Sequence, residues 1–203
     1  LDVMLAKADV TGSLAHLEML HAIGLVSDEE HGQLRVALVS IYEQVERGEF
    51  VIEEGIEDVH SQVELMLVRE CGDAGKKIHT GRSRNDQVLL DLKLFSREAL
   101  FEILENMKRL FMLLIQRAGE SRDILLPGYT HLQVAMPSSF GLWFSAYAES
   151  LADDLLMLKA GYDMVNSNPL GSGAGYGSSI ALNRGMTTRL LGFPDLAYNV
   201  VYA

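Results

Sequence analysis

A polar cluster at residues 79–87 has the side chains of an anion-binding site. Its sequence, HTGRSRNDQ, begins the longest run of helical periodicity in the chain. The first turn of a helix presents unpaired N–H groups and a partial positive charge, and both attract anions. Arg82 and Arg84 add guanidinium groups, which bind carboxylates through paired hydrogen bonds, and Asn85 adds an amide. The cluster predicts a carboxylate site, although a helix cap with solvated arginines explains the same residues.

A second cluster, PGYTHLQ at residues 127–133, contains a histidine suited to acid–base chemistry. The side chain of His131 belongs to the type that titrates near neutral pH, and Thr130 offers a hydroxyl group to a carboxylate. The alternative is a turn that contains a hydrogen-bonded histidine. A helix that starts near residue 83 carries the chain away from the first cluster. We therefore expect the two clusters to meet only between copies of the chain.

The remaining candidate sites are weak. Residues 171–179 read GSGAGYGSS, but Tyr176 occupies the place of the third glycine of a dinucleotide-binding motif, and the lysine of a phosphate loop is missing. A tightly turned or flexible loop is the better interpretation. His16 and His21 are five residues apart, off the shared helix face that a metal pair needs, and Cys71 is the only cysteine. We predict neither a metal nor another cofactor.

Composition excludes several classes of partner. The net charge of −11 argues against nucleic acid and against anionic lipid as a partner. A single cysteine cannot form an internal disulfide, which favours a cytoplasmic location. Residues 124–148 contain no charged side chain, but the prolines and polar residues among them are not those of a membrane span. This charge-free segment must lie against something other than lipid.

Apolar residues recur at helical spacing along most of the chain and predict an all-α fold. Short helices are expected before Gly24, from a cap at Ser27 to Gly48, and from about Glu57 to Gly72, with a loop from Gly72 to Gly81. Longer or later helices are expected from about Ser83 to Gly119, from a cap at Ser138 or Ser139 to residues 166–169, and over residues 183–191. Only residues 49–52 and 199–202 offer weak strand patterns.

These elements suggest two domains and an oligomer. We predict a small N-terminal helical domain over residues 1–82 and long antiparallel helices of a central bundle over residues 83–203. The second long helix carries leucines on more than one face, including Leu151, Leu155 and Leu158. A helix that is apolar all round is usually buried, and in so short a chain other copies are its natural cover.

Four segments together resemble the argininosuccinate lyase family of the fumarase/aspartase superfamily. They are the two clusters already described, EDVH at residues 57–60 and PLGSGA at residues 169–174, in the family's order and approximate spacing. The resemblance implies a fumarase/aspartase-like helical bundle, a cytoplasmic homotetramer and elimination of fumarate from argininosuccinate to give arginine, the last step of arginine biosynthesis.

The resemblance also implies roles for individual residues. It assigns His131 to proton transfer, beside a loop serine that is usually taken as the family's base. The residues that it assigns to substrate binding are Asp58, His60, Ser83, Arg84, Asn85, Thr130 and Gln133. Donors of this kind suit a reaction in which charge develops on a substrate carboxylate.

Two departures from the family pattern limit these expectations. The mobile loop with consecutive serines, Met-Pro and lysines is absent, because Ser178 and Ser179 belong to the glycine-rich block and are followed by IALNR. Family chains are also more than twice as long, so we expect an inactive fragment of a longer enzyme. The alternatives are a non-catalytic structural relative of the δ-crystallin kind and a lyase of the same superfamily with another succinyl substrate.

Overall fold

The computed structural model describes residues 2–203 and is dominated by helices, which confirms the predicted all-α class. The helices are α1 (Ala6–Ala22), α2 (Asp28–Glu46), α3 (Val59–Cys71), α4 (Asp73–Lys76), α5 (Arg84–Glu120), α6 (Phe140–Val165) and α7 (Arg184–Leu190). Short 3-10 helices lie at Asp2–Leu5 and Lys77–His79. The strands are β1 (Leu125–Thr130), β2 (Gln133–Ser139), β3 (Ser167–Asn168) and β4 (Asp195–Leu196).

The chain divides into two compact units. Unit 1 contains residues up to Ser96 together with Val165–Ala203, and unit 2 contains Arg97–Met164. The last part of the chain thus packs with the N-terminal helices, and α5 begins in unit 1 and ends in unit 2. The domain boundary at residues 82 and 83 stays a prediction.

Unit 1 is built around two apolar clusters. The larger one joins α1, α2 and α3 through fully buried side chains that include Leu17, Leu38 and Leu67. The smaller one consists of Ala15, Leu90, Leu170, Leu191 and Phe193, and so holds the first part of α5 against α1 and the α7 region. The start of α5, where the first polar cluster lies, is therefore fixed on several sides.

Most predicted helix ends are confirmed by their caps. Ser27 accepts a hydrogen bond from the backbone N–H of Glu30, whose side chain accepts one in return, a full capping box. Ser139 and Asn183 accept corresponding bonds from Leu142 and Met186 at the starts of α6 and α7. These side chains bind N–H groups that a helix leaves unpaired, which is why each helix begins there.

Unit 2 contains a β-hairpin that the sequence analysis missed. Strands β1 and β2 are antiparallel, with Thr130 paired to Gln133 and a register shift after Gly128. The two residues between the strands, His131 and Leu132, have φ angles of 51° and 62°. Two residues with positive φ form the mirror-image turn that matches the twist of paired strands. The second polar cluster is therefore a hairpin.

Three smaller expectations were wrong. Residues 72–81 are not a plain loop, because they contain α4 and a 3-10 turn. Residues 49–52 form no strand, and residues 199–202 form turns; neither segment has a partner strand within residues 2–203. An extended sequence pattern cannot become a strand unless another edge accepts its backbone hydrogen bonds.

The long helices of unit 2 expose many apolar side chains. Leu142, Trp143, Leu156 and Met157 of α6 are all exposed, as are several apolar residues of α5. Between residues 2 and 203, no helix combines the length and the apolar character that crossing a membrane requires.

Candidate functional site

The first polar cluster forms the beginning of α5. Ser83 precedes the helix, and its hydroxyl accepts a hydrogen bond from the backbone N–H of Asn85 at 3.2 Å. Asp86 completes the cap, since its carboxylate accepts the N–H of Ser83 at 2.8 Å. Arg84 and Asn85 are exposed on the first turn of the helix. Capping therefore holds the two predicted substrate-binding side chains at the positive end of a 37-residue helix.

Arg84 connects this cluster to the start of α3. Its guanidinium donates to Glu57 at 2.6 Å and to the Ser61 hydroxyl at 3.0 Å, and its Nε lies 3.2 Å from Asp58. Asp58 caps α3 by accepting the N–H of Ser61 at 2.8 Å. The structure thus brings together two segments that the sequence separates, the EDVH block and the first polar cluster.

The charge state of Asp58 follows from these contacts. Partial burial by itself would raise the pKa of its carboxyl, but the hydrogen bonds from Ser61 and the nearby Arg84 guanidinium hold that pKa below its usual value. Asp58 is therefore an anion at neutral pH, beside a cation that is more than 40% exposed. The Arg84 guanidinium is thus accessible to an anion from solvent.

Arg82 does not share the exposed position of Arg84, which corrects the expectation that both arginines face one anion. It donates to the Ser13 hydroxyl of α1 at 3.1 Å and lies near the buried carboxyls of Asp9 and Asp91. Burial lowers the pKa of the Arg82 guanidinium, and these acids oppose the shift. Arg82 supplies the countercharge of a buried network.

Three histidines line the same network. The predicted substrate-binding His60 is buried, its Nδ1 lies 3.6 Å from an Asp9 carboxylate oxygen, and its ring meets that of His79 edge to face at 4.5 Å. The Nε2 of His16 lies 3.0 Å from the carbonyl oxygen of Thr80. His60 points into the interior, so its contact with a substrate stays a prediction.

Burial shifts the pKa values of this network in opposite directions. Burial, and then the positive charge of Arg82, lowers the pKa of His16 and of His79 from 6.5 to about 3. Burial, and then the neighbouring Asp9, raises the pKa of Asp91 well above neutrality. At neutral pH the two histidines are therefore neutral, and Asp91 keeps its proton.

These shifts predict a maximum of stability near pH 6.5. Below it, unfolding lets His16 and His79 take up two protons while Asp91 releases one, so the free energy of unfolding rises with pH. Above it, only the release from Asp91 remains, so the free energy falls as pH rises. Each limb has a slope of up to about 1.4 kcal/mol per pH unit. Urea unfolding followed by circular dichroism between pH 4.5 and 8.5 measures both limbs.

The variant Asp91→Asn separates the contribution of Asp91 to this pH dependence from that of the two histidines. An amide cannot lose a proton, so the falling limb above pH 6.5 is expected to flatten. The rising limb is expected to steepen to about 2.7 kcal/mol per pH unit, because the two protons taken up by His16 and His79 are no longer offset by the release from Asp91. Asp123→Asn is the matched control, because that carboxyl is 87% exposed. A falling limb that survives in Asp91→Asn shows that Asp91 is not its source.

The second polar cluster lies at the tip of the hairpin in unit 2. Thr130 and Gln133 are the last paired residues, and His131 and Leu132 form the turn between them. All four side chains are exposed, and Leu132 is 99% exposed. The turn therefore presents the His131 ring outward, where it is able to meet a molecule bound to the chain.

Asp86 belongs to the first polar cluster, but the sequence analysis gave it no role of its own. It is fully buried, and its carboxylate also accepts the backbone N–H groups of Gly171 at 2.8 Å and Gly173 at 2.9 Å. The glycine-rich segment is thus a tightly turned loop attached to α5, as one of the two interpretations predicted. The available signal was the Ser83-x-x-Asp86 spacing, in which an acid at the third helical position bonds back to the cap.

The exposed groups at the start of α5 fit recognition of a carboxylate. They are the Arg84 guanidinium, the Asn85 amide and the first turn of α5, all in unit 1. The exposed Thr130 hydroxyl and His131 imidazole belong to the hairpin of unit 2. Within residues 2–203, no group of three or more His, Cys, Asp or Glu side chains is placed to hold a metal ion. The assignment of substrate contacts and of proton transfer to individual residues stays a prediction.

Known proteins with sequences similar to this chain are lyases. Residues 1–194 match a protein family described as "Lyase". An argininosuccinate lyase from Bacteroides fragilis is 65% identical over all 203 residues, and one from Thermotoga neapolitana is 40% identical over 204 aligned positions. The chain spans 45% of the length of the first of these relatives and 50% of the second.

Solved structures share the fold. An EDDS lyase variant with bound fumarate has a TM-score of 0.85 and 28% identity; the match covers 98% of this chain and 39% of that one. The fold recurs in this protein over almost the whole of residues 1–203.

Proposed function

We propose, on the premise that this chain belongs to the lyase family, that it carries part of an argininosuccinate lyase. The observation that carries the proposal is the 65% identity to the Bacteroides fragilis argininosuccinate lyase over every residue of the chain. That span includes both polar clusters and the segments that the structure packs beside them. The reaction is the elimination of fumarate from argininosuccinate, which leaves arginine.

The exposed donors of the site suit this elimination. A proton leaves the carbon next to a substrate carboxylate, the carbon–nitrogen bond breaks, and the guanidino nitrogen takes up a proton. Negative charge that develops on the carboxylate is stabilised by fixed donors, and Arg84 and Asn85 are held by the cap at Ser83 to serve as such donors. The substrate carboxylate would take the place of Glu57 on the Arg84 guanidinium.

His131 is the proposed proton-transfer group, with Thr130 and Gln133 beside it. The hairpin turn exposes its ring, and an imidazole is able to give or accept a proton near neutral pH. Asp58 is the proposed contact for the cationic part of the substrate, since it carries a negative charge beside an exposed arginine. His60 and Ser83 complete the proposed set of substrate-binding residues.

We also propose a homotetramer and a cytoplasmic location. The tetramer is supported by an apolar groove of about 410 Å³ in unit 2, lined by residues that include Leu100, Leu104, Leu155 and Tyr162. Large apolar side chains that are exposed along α5 and α6, among them Phe101, Leu142 and Leu156, are characteristic of an interface. Light scattering of the purified protein tests the oligomer, and a monomer at micromolar concentration contradicts it.

The activity is tested with a chimera, because the chain spans less than half of its Bacteroides fragilis relative. Residues 1–203 replace the matching segment of that enzyme, and fumarate release is followed by ultraviolet absorbance. We expect the chimera to cleave argininosuccinate and the 203-residue chain alone to release no fumarate. The unaltered enzyme is the control. A folded but inactive chimera overturns the proposed function, and turnover by the chain alone overturns the proposed site.

The same chimera distinguishes the two alternatives. A non-catalytic relative of the δ-crystallin kind predicts a folded chimera with no activity on any succinyl compound. A lyase with a different substrate predicts fumarate release from another succinyl compound at a higher kcat/KM than from argininosuccinate. The identity of 65% to argininosuccinate lyase favours neither of these two alternatives to the proposed function.

A further inference from the structure

One buried carboxylate joins two segments that are far apart in the sequence. The Asp86 Oδ1 accepts the N–H of Ser83 at 2.8 Å, and its Oδ2 accepts the N–H groups of Gly171 at 2.8 Å and Gly173 at 2.9 Å. The side chain is 0% exposed. A carboxylate that is hydrogen-bonded through both oxygens and removed from water is held in one orientation.

The glycines are shaped to reach this carboxylate. Gly171 and Gly173 have φ angles of +89° and +64°, in the region that favours glycine. A Cβ atom at Gly173 would lie 2.9 Å from the carbonyl oxygen of Gly177, and one at Gly171 would lie 2.8 Å from the Arg184 side chain. Two N–H groups therefore converge on one oxygen only because both residues lack a side chain.

Arg184 holds the glycine-rich segment from its other side. Its Nε donates to the carbonyl oxygen of Leu170 at 2.8 Å, and its guanidinium also donates to the carbonyl oxygen of Ala197 at 2.9 Å. The segment is thus fixed between an arginine that binds its carbonyl groups and an aspartate that binds its N–H groups. Movement of the segment would move the first turn of α5 with it.

We infer that Asp86 is a positioning residue, which fixes Arg84 and Asn85 by tying the first turn of α5 to the segment at residues 169–177. The inference rests on the proposed function for the role of Arg84 and Asn85 in binding substrate. Asp86 lies one or two residues from both, in the same helical turn, and points inward while they point outward. It acts through the backbone and does not itself touch the substrate.

The variant Asp86→Asn tests the tie in the 203-residue chain. An amide offers one accepting oxygen where the carboxylate uses two, so either the Ser83 contact or the glycine contacts must be lost. Hydrogen–deuterium exchange of the peptide at residues 169–177 is expected to become at least about tenfold faster. Asp91→Asn is the matched control, a buried aspartate in the same helix that has no contact with Gly171 or Gly173 among its hydrogen bonds.

The variant's effect on binding is measured in the chimera. KM for argininosuccinate is expected to rise about tenfold or more, because the misplaced groups bind the substrate carboxylate, and kcat is expected to fall as well, because the same donors stabilise the charge that develops there. Gly173→Ala, which disturbs the same contact from the other side, is expected to reproduce the rise and not to add fully to it.

The outcomes separate the two proposals. An unchanged exchange rate in Asp86→Asn shows that Asp86 does not hold the segment at residues 169–177 against α5, whether or not the chimera is active. Faster exchange with an unchanged KM overturns the positioning role, as does an equal rise of KM in Asp91→Asn. An inactive wild-type chimera overturns the proposed function, and the inferred positioning role with it, while the exchange experiment still reports on the tie. If Asp86→Asn does not fold, Gly173→Ala supplies both measurements.

Discussion

Replacing His131 with asparagine in the chimera is expected to lower kcat by about 10²–10⁴-fold, with a smaller change in KM. This is the range that a positioned acid or base contributes to a reaction. The ring is exposed at the hairpin turn, and an amide at the same place cannot exchange a proton near neutral pH. Steady-state fumarate release across a range of argininosuccinate concentrations measures both constants.

Asparagine is chosen because it also suits the backbone. His131 has a φ of 51°, and asparagine adopts this left-handed conformation more readily than histidine. The hairpin is therefore expected to stay folded, so that a loss of activity reports on the imidazole. Leu132→Asn is the matched control at the second turn position, where φ is 62°, and its kcat is expected to change less than tenfold. A kcat within tenfold of wild type in His131→Asn would exclude proton transfer by this residue.

The helices of this chain could be predicted from the sequence because their signals are local. Apolar spacing and a cap residue lie within a few positions of each other, and Ser27 and Asn183 do cap α2 and α7. The long helix over 84–120 follows from uninterrupted periodicity, which tertiary contacts did not need to modify.

The hairpin could not be predicted in this way. Prolines at 127 and 137 lie opposite each other in the ladder, where each lacks an N–H to donate, and residue types alone argue against strands there. The turn residues, His131 and Leu132, are not the glycine, asparagine or aspartate that usually mark a two-residue turn. The hairpin forms because β1 and β2 pair with each other, and not because the residues of either segment favour a strand.

The site was predicted in its exposed part and missed in its buried part. Arg84 and Arg82 stand two residues apart, and spacing alone did not indicate that one faces solvent and the other faces inward. The difference depends on Asp9 and Ser13 of α1, which reach the cluster only through the tertiary fold. A buried charge network is thus decided by the segment that packs on it.

This network leads to the largest expected effect on stability. Arg82→Met is expected to lower the free energy of unfolding by about 3–5 kcal/mol, because removal of one partner leaves buried charge without compensation. The guanidinium lies near the Asp9 carboxyl, which is 1% exposed, whereas the neighbouring Asp91 is protonated and uncharged at neutral pH; the hydrogen bond to Ser13 is lost as well. Urea unfolding at pH 6.5, followed by circular dichroism, measures the change.

Two further variants decide whether lost compensation is the cause. Arg122→Met removes an arginine whose side chain is 79% exposed and whose partner is Asp123, so a loss of less than about 1 kcal/mol is expected. Asp9→Asn, introduced into Arg82→Met, removes the carboxyl that was left without a cation and is expected to recover part of the stability. If Arg82→Met lowers the free energy of unfolding no more than Arg122→Met does, Arg82 is not the countercharge of the buried carboxyls. Failure of Asp9→Asn to recover stability would instead assign the loss to packing of the arginine's aliphatic stem.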